Sequence, residues 1–561
     1  NESVGLIGDR YRISMPSKLK KFRKMSGVSK DAPIGIQCLQ YLSGKLCPRL
    51  QINRLRWYQA SVLVLTYFTY MTYHLTRKPI SVVKNVLHQN CSELPRPPDV
   101  RPDDDQWCNW APFNTADANT LLGTLDSAFL FSYAGAMFIS GMVAERVDLR
   151  YFLTFGMLLS SLFCYLFGIG RVANIHYISY YLLVSAGAGI AQTSGWPGTV
   201  AAVGRWFGSG KKGLIFGIWN SHTSLGNILG TVIAAAYVED DWALSFIYPA
   251  LCMAGAAVAV WLFLVPEPRC VGLAADGRPV RESHKSDDEE DPPLTDGEAS
   301  QVIVGDQVIL TYANPPQPQQ PDEADESTAL LSRSHASSTS SAVSLTRALR
   351  IPGVVEFSLS LFFAKLVSYT FLYWLPMYIR YSTHMSAASC GFLSTVFDVG
   401  GALGAVAAGL LADWSAAPAL TCAGFYMAAA PALLAYQRWG AVSHAANLAL
   451  LVIAGALVNA PYALITTAVS AELGTHSSLQ GNAQALATVT AIIDGTGSVG
   501  AALGPMLAGV VSSTGSWAHV FHMLIACDCF ALLLLLRIVK TEIVKIRSER
   551  RLASPRAVRI E

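Results

Sequence analysis

The chain has 561 residues, of which 52% are apolar and only 14% charged, with a formal net charge of +2. Soluble domains carry about 25% charged residues, so the deficit argues against a large soluble enzyme, and the near-neutral balance argues against nucleic-acid binding as the main role. The apolar residues come in blocks of the length that crosses a bilayer, about 18 or more.

About twelve such blocks follow one another. Each is predicted as a helix, because lipid tolerates only helices or closed barrels and the runs are too continuous for the alternation of barrel strands. A mostly polar, basic tail (1–50) precedes an N-terminal half (51–265) with spans at 57–87, 118–143, 151–170, 175–200, 213–237 and 243–265. Residues 266–347 are rich in Asp, Glu, Pro, Ser and Gln, as in SDDEEDPP and NPPQPQQPDEADES. Such a segment cannot bury enough apolar surface to fold and is predicted as a disordered linker. A C-terminal half (348–540) carries spans at 350–379, 387–412, 416–436, 444–470, 482–511 and 516–538, and a basic tail occupies 541–561. The expected fold is an all-α membrane protein of twelve transmembrane helices in two six-helix halves.

Lys and Arg gather before the first span (Lys18, Lys20, Lys21, Lys24, Arg54, Arg56), between the second and third (Arg146, Arg150), between the fourth and fifth (Arg205, Lys211, Lys212) and after the twelfth (Arg537, Lys540, Lys545, Arg547). The positive-inside bias then puts both termini and the linker in the cytoplasm. The loop after the first span falls on the lumenal or outer side. It is acidic (Asp103, Asp104, Asp105) and holds the N-glycosylation sequon Asn90-Cys91-Ser92. Cys91 and Cys108 are candidates for a disulfide there, since that compartment is oxidising. Other cysteines (Cys164, Cys252, Cys422, Cys527, Cys529) lie in apolar runs and read as small hydrophobes.

Charges inside spans are the informative residues, because each costs about 2.5–3.5 kcal/mol even on lenient insertion scales. The first span carries Tyr67, Tyr70, His74, Arg77 and Ser81 at steps of three and four, along one helix face, with Lys78 beside it. Pro79 is predicted to bend or break the helix at once. The seventh span carries Lys365 near the midplane, fourteen residues from both Ile351 and Ile379, with Ser358, Phe362, Tyr369 and Tyr373 on its face. No acid lies close to these cations in either span. Three readings are open. Arg77 and Lys78 snorkel to the interface; the cations pair across helices with Asp126, Asp398 or Asp494; or Arg77, Lys78 and Lys365 converge unpaired in a central cavity and bind an anion. The last is the sharpest, since an Arg fork suits phosphate and Lys adds point charge.

Further polar residues are candidates to complete that cavity. Tyr70 and His74 come from the first span and Tyr369 from the seventh. In the fifth, Asn220, Ser224, Asn227 and Thr231 share a face, while His222 lies in line with Gly226 and Gly230 and fits packing as well as ligand contact. Gly195-Trp196-Pro197 marks a local break in the fourth span, where the Trp196 ring either stacks on a sugar or packs. The eleventh span has Gln484, Thr488 and Asp494, with Gly500 and Gly504 placed for close helix packing. There is no P-loop, no HExxH and no zinc-ligand spacing, so no enzyme activity, metal or cofactor is expected. Two other classes stay in view: a proton-coupled carrier using Asp398 or Asp494, and a transporter-like sensor or scaffold.

The halves echo each other. GMVAERVDLR (Gly141 to Arg150) follows the second span and GLLADW (Gly409 to Trp414) the eighth, the weak internal symmetry of related transporter halves. The first copy resembles the loop motif of the major facilitator superfamily, a Gly-xxx-Asp-Arg pattern, with Glu145 for the Asp and Asp148 where Gly is usual. Longer segments resemble the sugar-phosphate exchangers of solute carrier family 37, organophosphate–phosphate antiporters within that superfamily. They are LTRKPISVVKNVLHQNCSE, RWFGSGKKGLIFGIWNSHTSLGNILG, LRIPGVVEFSLSLFFAKLVSYTFLYWLPMYI, NAPYALITTAVSAELGTH and ATVTAIIDGTGSVGAALGPMLAGV. They cover nearly all the spans and neither the tails nor 266–347. The likeness is greatest to the glucose-6-phosphate exchangers with a long central loop.

The resemblance implies the major facilitator fold and exchange of a phosphorylated sugar for inorganic phosphate in the endoplasmic reticulum membrane. It implies phosphate binding by Arg77, Lys78 and Lys365, and matches for Trp196 and Asn227. Gln484 stands where a short-loop relative has His, a departure that bears on sugar recognition. Unpaired cations buried in an empty closed state would be expensive, so only a loaded carrier is expected to cross readily, giving exchange.

Overall fold

The structure, a computed structural model, describes residues 32–46, 53–207 apart from 99 and 102, 219, 221–273, 300–304, 307–311, 348–474 and 483–553. The chain divides into two compact units: residues 1–279 with 342–561, and residues 280–341. In the second, β1 (Ser300–Val304) pairs antiparallel with β2 (Gln307–Thr311), Ser300 opposite Thr311 and Val304 opposite Gln307. The β-branched residues Val302, Ile303, Val304, Val308 and Ile309 favour this pairing. The hairpin differs from the expectation of a structureless linker, because an acidic, proline-rich average conceals two short strands with six apolar residues among their ten. Residues 274–299 and 312–347 lie outside the described residues.

The first unit is helical. In its N-terminal part, α1 (Ile34–Leu46) is followed by α2 (Arg54–Arg77), α3 (Pro79–Leu87), α4 (Ala118–Arg146), α5 (Leu149–Val172), α6 (Ile178–Gln192), α7 (Gly195–Phe207), α8 (His222–Tyr237) and α9 (Leu244–Phe263). The C-terminal part has α10 (Val354–Thr383), α11 (Ala387–Ser415), α12 (Pro418–Trp439), α13 (His444–Leu464), which runs through a π turn into α14 (Ser470–Gly474), then α15 (Ala483–Thr514) and α16 (Trp517–Ala553). Eight helices among the described residues are long and apolar enough to cross a membrane: α5, α9, α10, α11, α12, α13, α15 and α16. The pairs α2 with α3 and α6 with α7, together with α4 and α8, occupy the other predicted span positions.

The broken helices follow their sequences. Pro79 lacks an N–H and its ring fixes φ, so it opens α3 and ends α2. The α6/α7 break falls at Thr193 and Ser194, just before Gly195-Trp196-Pro197. Asp148 explains its own departure from the loop motif: its carboxylate accepts from the Arg150 N–H at 2.8 Å and caps α5. Two boundaries differ from expectation. α1 lies in the tail read as polar, and α16 continues well past 538 to Ala553, with no Gly or Pro to stop it. Glu542 on that extension accepts from the Ala419 and Leu420 N–H groups at 3.0 and 2.8 Å, supplying α12 with a cap from afar.

The buried core has a telling distribution. One large apolar cluster joins both halves, with Val82, Phe113, Leu122 and Trp242 against Phe371, Trp374, Phe397 and Phe521. A second belongs to the C-terminal half, around Phe357, Leu361, Tyr426 and Ile493, and a third to the N-terminal half, around Tyr58, Met157, Trp206 and Val260. The polar cross-half contacts sit with the joint cluster: Arg380 to Gln89, the Ala388 N–H to Glu239, Ser127 to the Ala502 carbonyl and Thr120 to Ser513. The halves therefore close on each other at the end carrying the loop after α3, and keep separate cores at the other. Small residues allow the approach. A Cβ on Gly509 would lie 2.5 Å from the Asn119 carbonyl oxygen, and one on Gly123 2.9 Å from that of Pro505.

Candidate functional site

Arg77 and Lys78 end α2, and neighbours on a helix point about 100° apart. The pair accordingly divides. Arg77 turns into the N-terminal half. Its Nε donates to Gln192 Oε1 at the end of α6, and Gln192 Nε2 donates to Thr76 Oγ1 at 3.1 Å. The guanidinium lies 4.8 Å from the Tyr133 ring centroid and 5.8 Å from that of Phe129, attracted by the ring faces. Arg77 is buried, and its Nη2 has no hydrogen-bond partner.

Lys78 turns toward the other half. Its Nζ donates to the Leu372 carbonyl at 3.2 Å and lies 3.4 Å from Asp398 Oδ2. Asn227 Nδ2 donates to Asp398 Oδ1 at 3.2 Å, and Asn227 Oδ1 is 3.3 Å from His74 Nδ1. His74, Asn227, Asp398 and Lys78 thus form one polar chain between the halves. Lys365 is buried on α10, with Nζ 2.7 Å from Asp494 Oδ1 on α15 and 5.6 Å from the Tyr462 ring centroid.

The expectation of three unpaired cations is corrected for two. Lys78 and Lys365 each hold a carboxylate from another helix, as desolvation of a charge demands. Arg77 alone of the three has no carboxylate partner among the described residues. Rings connect the surroundings of Arg77 and Lys365: Tyr373 lines a cavity with Arg77, and Tyr462 stands beside Lys365. Tyr369 lies 6.4 Å, ring to ring, from both Tyr373 and Tyr462. A series of tyrosines thus runs from Arg77 in one half to Lys365 in the other.

Other candidates separate into roles. Tyr70 sits in an aromatic nest, its ring 5.3 Å from Trp196, 4.8 Å from His222 and 5.2 Å from His74. His222 also packs 4.4 Å from the Trp219 ring and is fully buried, so its place is among rings. The side chains of Gln484 and Thr488, like the whole of Asn220, Lys211 and Lys212, lie outside the described residues. In the loop after α3, Cys91 and Cys108 form a disulfide. Asn90 is exposed, and its Oδ1 accepts from the Ser92 N–H at 3.2 Å and from the Ser92 hydroxyl at 2.8 Å.

Sequence reasoning passed over Lys84, Tyr133, Gln192 and Tyr462. Lys84 had a signal: it stands three residues past Ser81 and extends the same stripe. It forms a buried ion pair with Asp126 and lies 4.0 Å from the Trp374 ring centroid. Beside this pair, Arg77, Asp126, Phe129, Ser185, Gln192 and Tyr373 line a cavity of about 60 Å³, room for a few waters. Tyr133, Gln192 and Tyr462 carried no such signal, because nothing local marks which uncharged polar residue will meet a cation from a distant helix.

A sequence profile described as Major Facilitator Superfamily matches residues 111–489 and 357–559. The glucose-6-phosphate exchanger SLC37A2 of Bos taurus is 50% identical over 494 residues, 88% of this chain and 96% of that protein. Human SLC37A2 is 49% identical over 497 residues, 88% of this chain and 94% of that protein. The glucose-6-phosphate exchanger SLC37A1 of Mus musculus is 44% identical over 516 residues, 88% of this chain and 95% of that protein. Among solved structures, a bacterial homolog of the human lysosomal transporter Spinster, inward-facing and unoccupied, aligns with a TM-score of 0.51 at 15% identity, over 87% of this chain and 95% of that one. That likeness is one of fold.

Proposed function

Because the chain belongs to the major facilitator superfamily and, within it, to the glucose-6-phosphate exchangers of solute carrier family 37, we propose that it exchanges a phosphorylated sugar, glucose-6-phosphate foremost, for inorganic phosphate by alternating access. The membrane is that of the endoplasmic reticulum, with both termini and the 266–347 linker cytoplasmic and the glycosylated, disulfide-bonded loop lumenal. The positive-inside bias supports this orientation, and the exposure of Asn90 supports use of its sequon.

The observation that carries the reading is Arg77, a buried guanidinium with a free donor and, among the described residues, no carboxylate to neutralise it. A phosphate oxygen fits that donor, and the planar fork binds phosphate at two points. Lys365, at the other end of the series of tyrosines, takes a second phosphate oxygen in competition with Asp494. Lys78 contributes through the polar chain to Asn227 and His74. Phosphate then bridges the halves, and rocking of one half against the other exposes the site alternately to each side. An unloaded carrier would have to close around the uncompensated Arg77 charge, which is costly, so net movement without a counter-substrate is slow.

The test is counterflow in proteoliposomes loaded with phosphate and supplied with labelled glucose-6-phosphate. Arg77→Ala should abolish uptake, and Arg77→Lys should restore part of it. Uptake by Arg77→Ala at the rate of the unaltered protein would sink the assignment.

A further inference from the structure

The N-terminal helix α1 has three distinct faces, and the bundle accounts for only one. That face carries Ile36, Gln37 and Gln40. Ile36 is buried with Ala32 among Tyr58 and Phe263, and Gln40 Nε2 donates to the Tyr58 hydroxyl. Gly35 approaches the end of α9 so closely that a Cβ there would lie 2.5 Å from the Phe263 ring and 2.6 Å from the Leu262 carbonyl oxygen. The helix is thus fixed to the start of α2 and the end of α9, at the end of the bundle opposite the disulfide loop. At 13 residues it is too short to cross a bilayer.

Its second face is a leucine stripe. Leu39, Leu42 and Leu46 follow at steps of three and four and so share one side, with 49%, 49% and 77% of their surfaces exposed. The third face carries Tyr41 and Lys45, whose ammonium lies 4.8 Å from the Tyr41 ring centroid. Trp57, one residue before Tyr58, and Trp261, one before Leu262, are exposed at the same level. Exposed Trp at a span terminus marks the headgroup region. Lys45, Arg54 and Arg56 are exposed around the helix. The stripe therefore adjoins the lipid-facing surface of α2 and α9, at headgroup depth, with cations beside it.

We propose that α1 is an interfacial helix that binds an anionic bilayer surface, its leucine stripe set into the acyl boundary and its basic neighbours among the headgroups. A short helix with one apolar face and flanking cations binds a membrane in this way, and attraction to anionic lipid adds to the apolar term. The bilayer is favoured over a protein partner because α1 is held against the ends of α2 and α9, where exposed Trp57 and Trp261 mark the headgroup region.

The experiment uses the full chain, with Cys38, Cys47, Cys252, Cys270 and Cys529 changed to Ser, reconstituted into vesicles of phosphatidylcholine with and without phosphatidylserine. A single environment-sensitive fluorophore is placed at Leu42→Cys or at Lys45→Cys. The label at 42 should be quenched by lipids doxyl-labelled near the headgroup and shielded from aqueous iodide, more so with phosphatidylserine, while the label at 45 should respond to iodide. Leu39→Glu/Leu46→Glu should return the label at 42 to water. Iodide quenching at 42 equal to that at 45 would overturn the proposal. So would shielding from both quenchers, which would place a protein surface over the stripe.

Discussion

Lys78 Nζ stands 3.4 Å from Asp398 Oδ2, and the two residues come from opposite halves. Both are buried, so each is the other's main compensation for leaving water. Removing one partner leaves a buried charge and typically costs about 3–5 kcal/mol, whereas replacing both is far milder. Lys78→Met should therefore lower the melting temperature of the purified protein sharply, and Lys78→Met/Asp398→Asn should melt above either single variant. Additive losses in the double variant would show that the pair is not coupled.

Lys365 and Asp494 make a different case. Their pair lies within one half, at 2.7 Å, beside the Tyr462 ring. If Asp494 competes with phosphate for Lys365, Asp494→Asn should tighten phosphate binding. A charge-assisted hydrogen bond contributes about 1.5–3 kcal/mol, so the expected change is about tenfold or more. Inhibition of glucose-6-phosphate uptake by added phosphate measures it. Lys365→Ala should act in the opposite direction, and equal inhibition constants in all three proteins would remove Asp494 from the site.

These two pairs also mark how far the sequence could be read. The spans, the Pro79 break and the stripe through Arg77 follow from hydropathy and helical period, which are local properties. That Lys78 would meet Asp398 and Lys365 would meet Asp494 is not local: each acid lies on another helix, and the period of one helix says nothing of the rotation of its neighbour. Asp126, Asp398 and Asp494 were visible as candidate partners, yet a sequence cannot rank pairing against convergence on an anion. The α1 helix escaped for another reason, since a basic tail averages out a short amphipathic stretch. The β1–β2 hairpin was hidden in the same way by its acidic surroundings.

The loop after α3 offers a pH test. His88 follows α3, and its Nδ1 lies 2.9 Å from the Phe113 carbonyl oxygen. Partial burial holds its pKa below the ordinary value, and the carbonyl contact opposes this more weakly. The folded state therefore binds fewer protons than the unfolded chain between the lowered value and about pH 6.5. Stability contributed here is present above about pH 6.5 and is lost as pH falls through that window. Melting curves should show the loss, and His88→Gln should flatten it. An unchanged pH slope in His88→Gln would remove His88 as the cause.

Gly509 tests the closed end itself. It faces Gly123 across the halves, where a Cβ on Gly509 would lie 2.5 Å from the Asn119 carbonyl oxygen and 3.1 Å from the Gly123 Cα. The obstacle is backbone, which cannot swing aside as a long side chain can, so Gly509→Val must hold α4 and α15 apart. The joint apolar cluster would then fail to close at that end. Each half keeps its own core, so the variant should fold, and phosphate should still protect it against heat. Exchange should fall at least tenfold, and a cysteine reagent unable to cross membranes should reach a reporter at Ser127→Cys, which is buried beneath the contact, from the side of the loop after α3. A variant that exchanged normally would mean that the two halves need not meet there during the cycle.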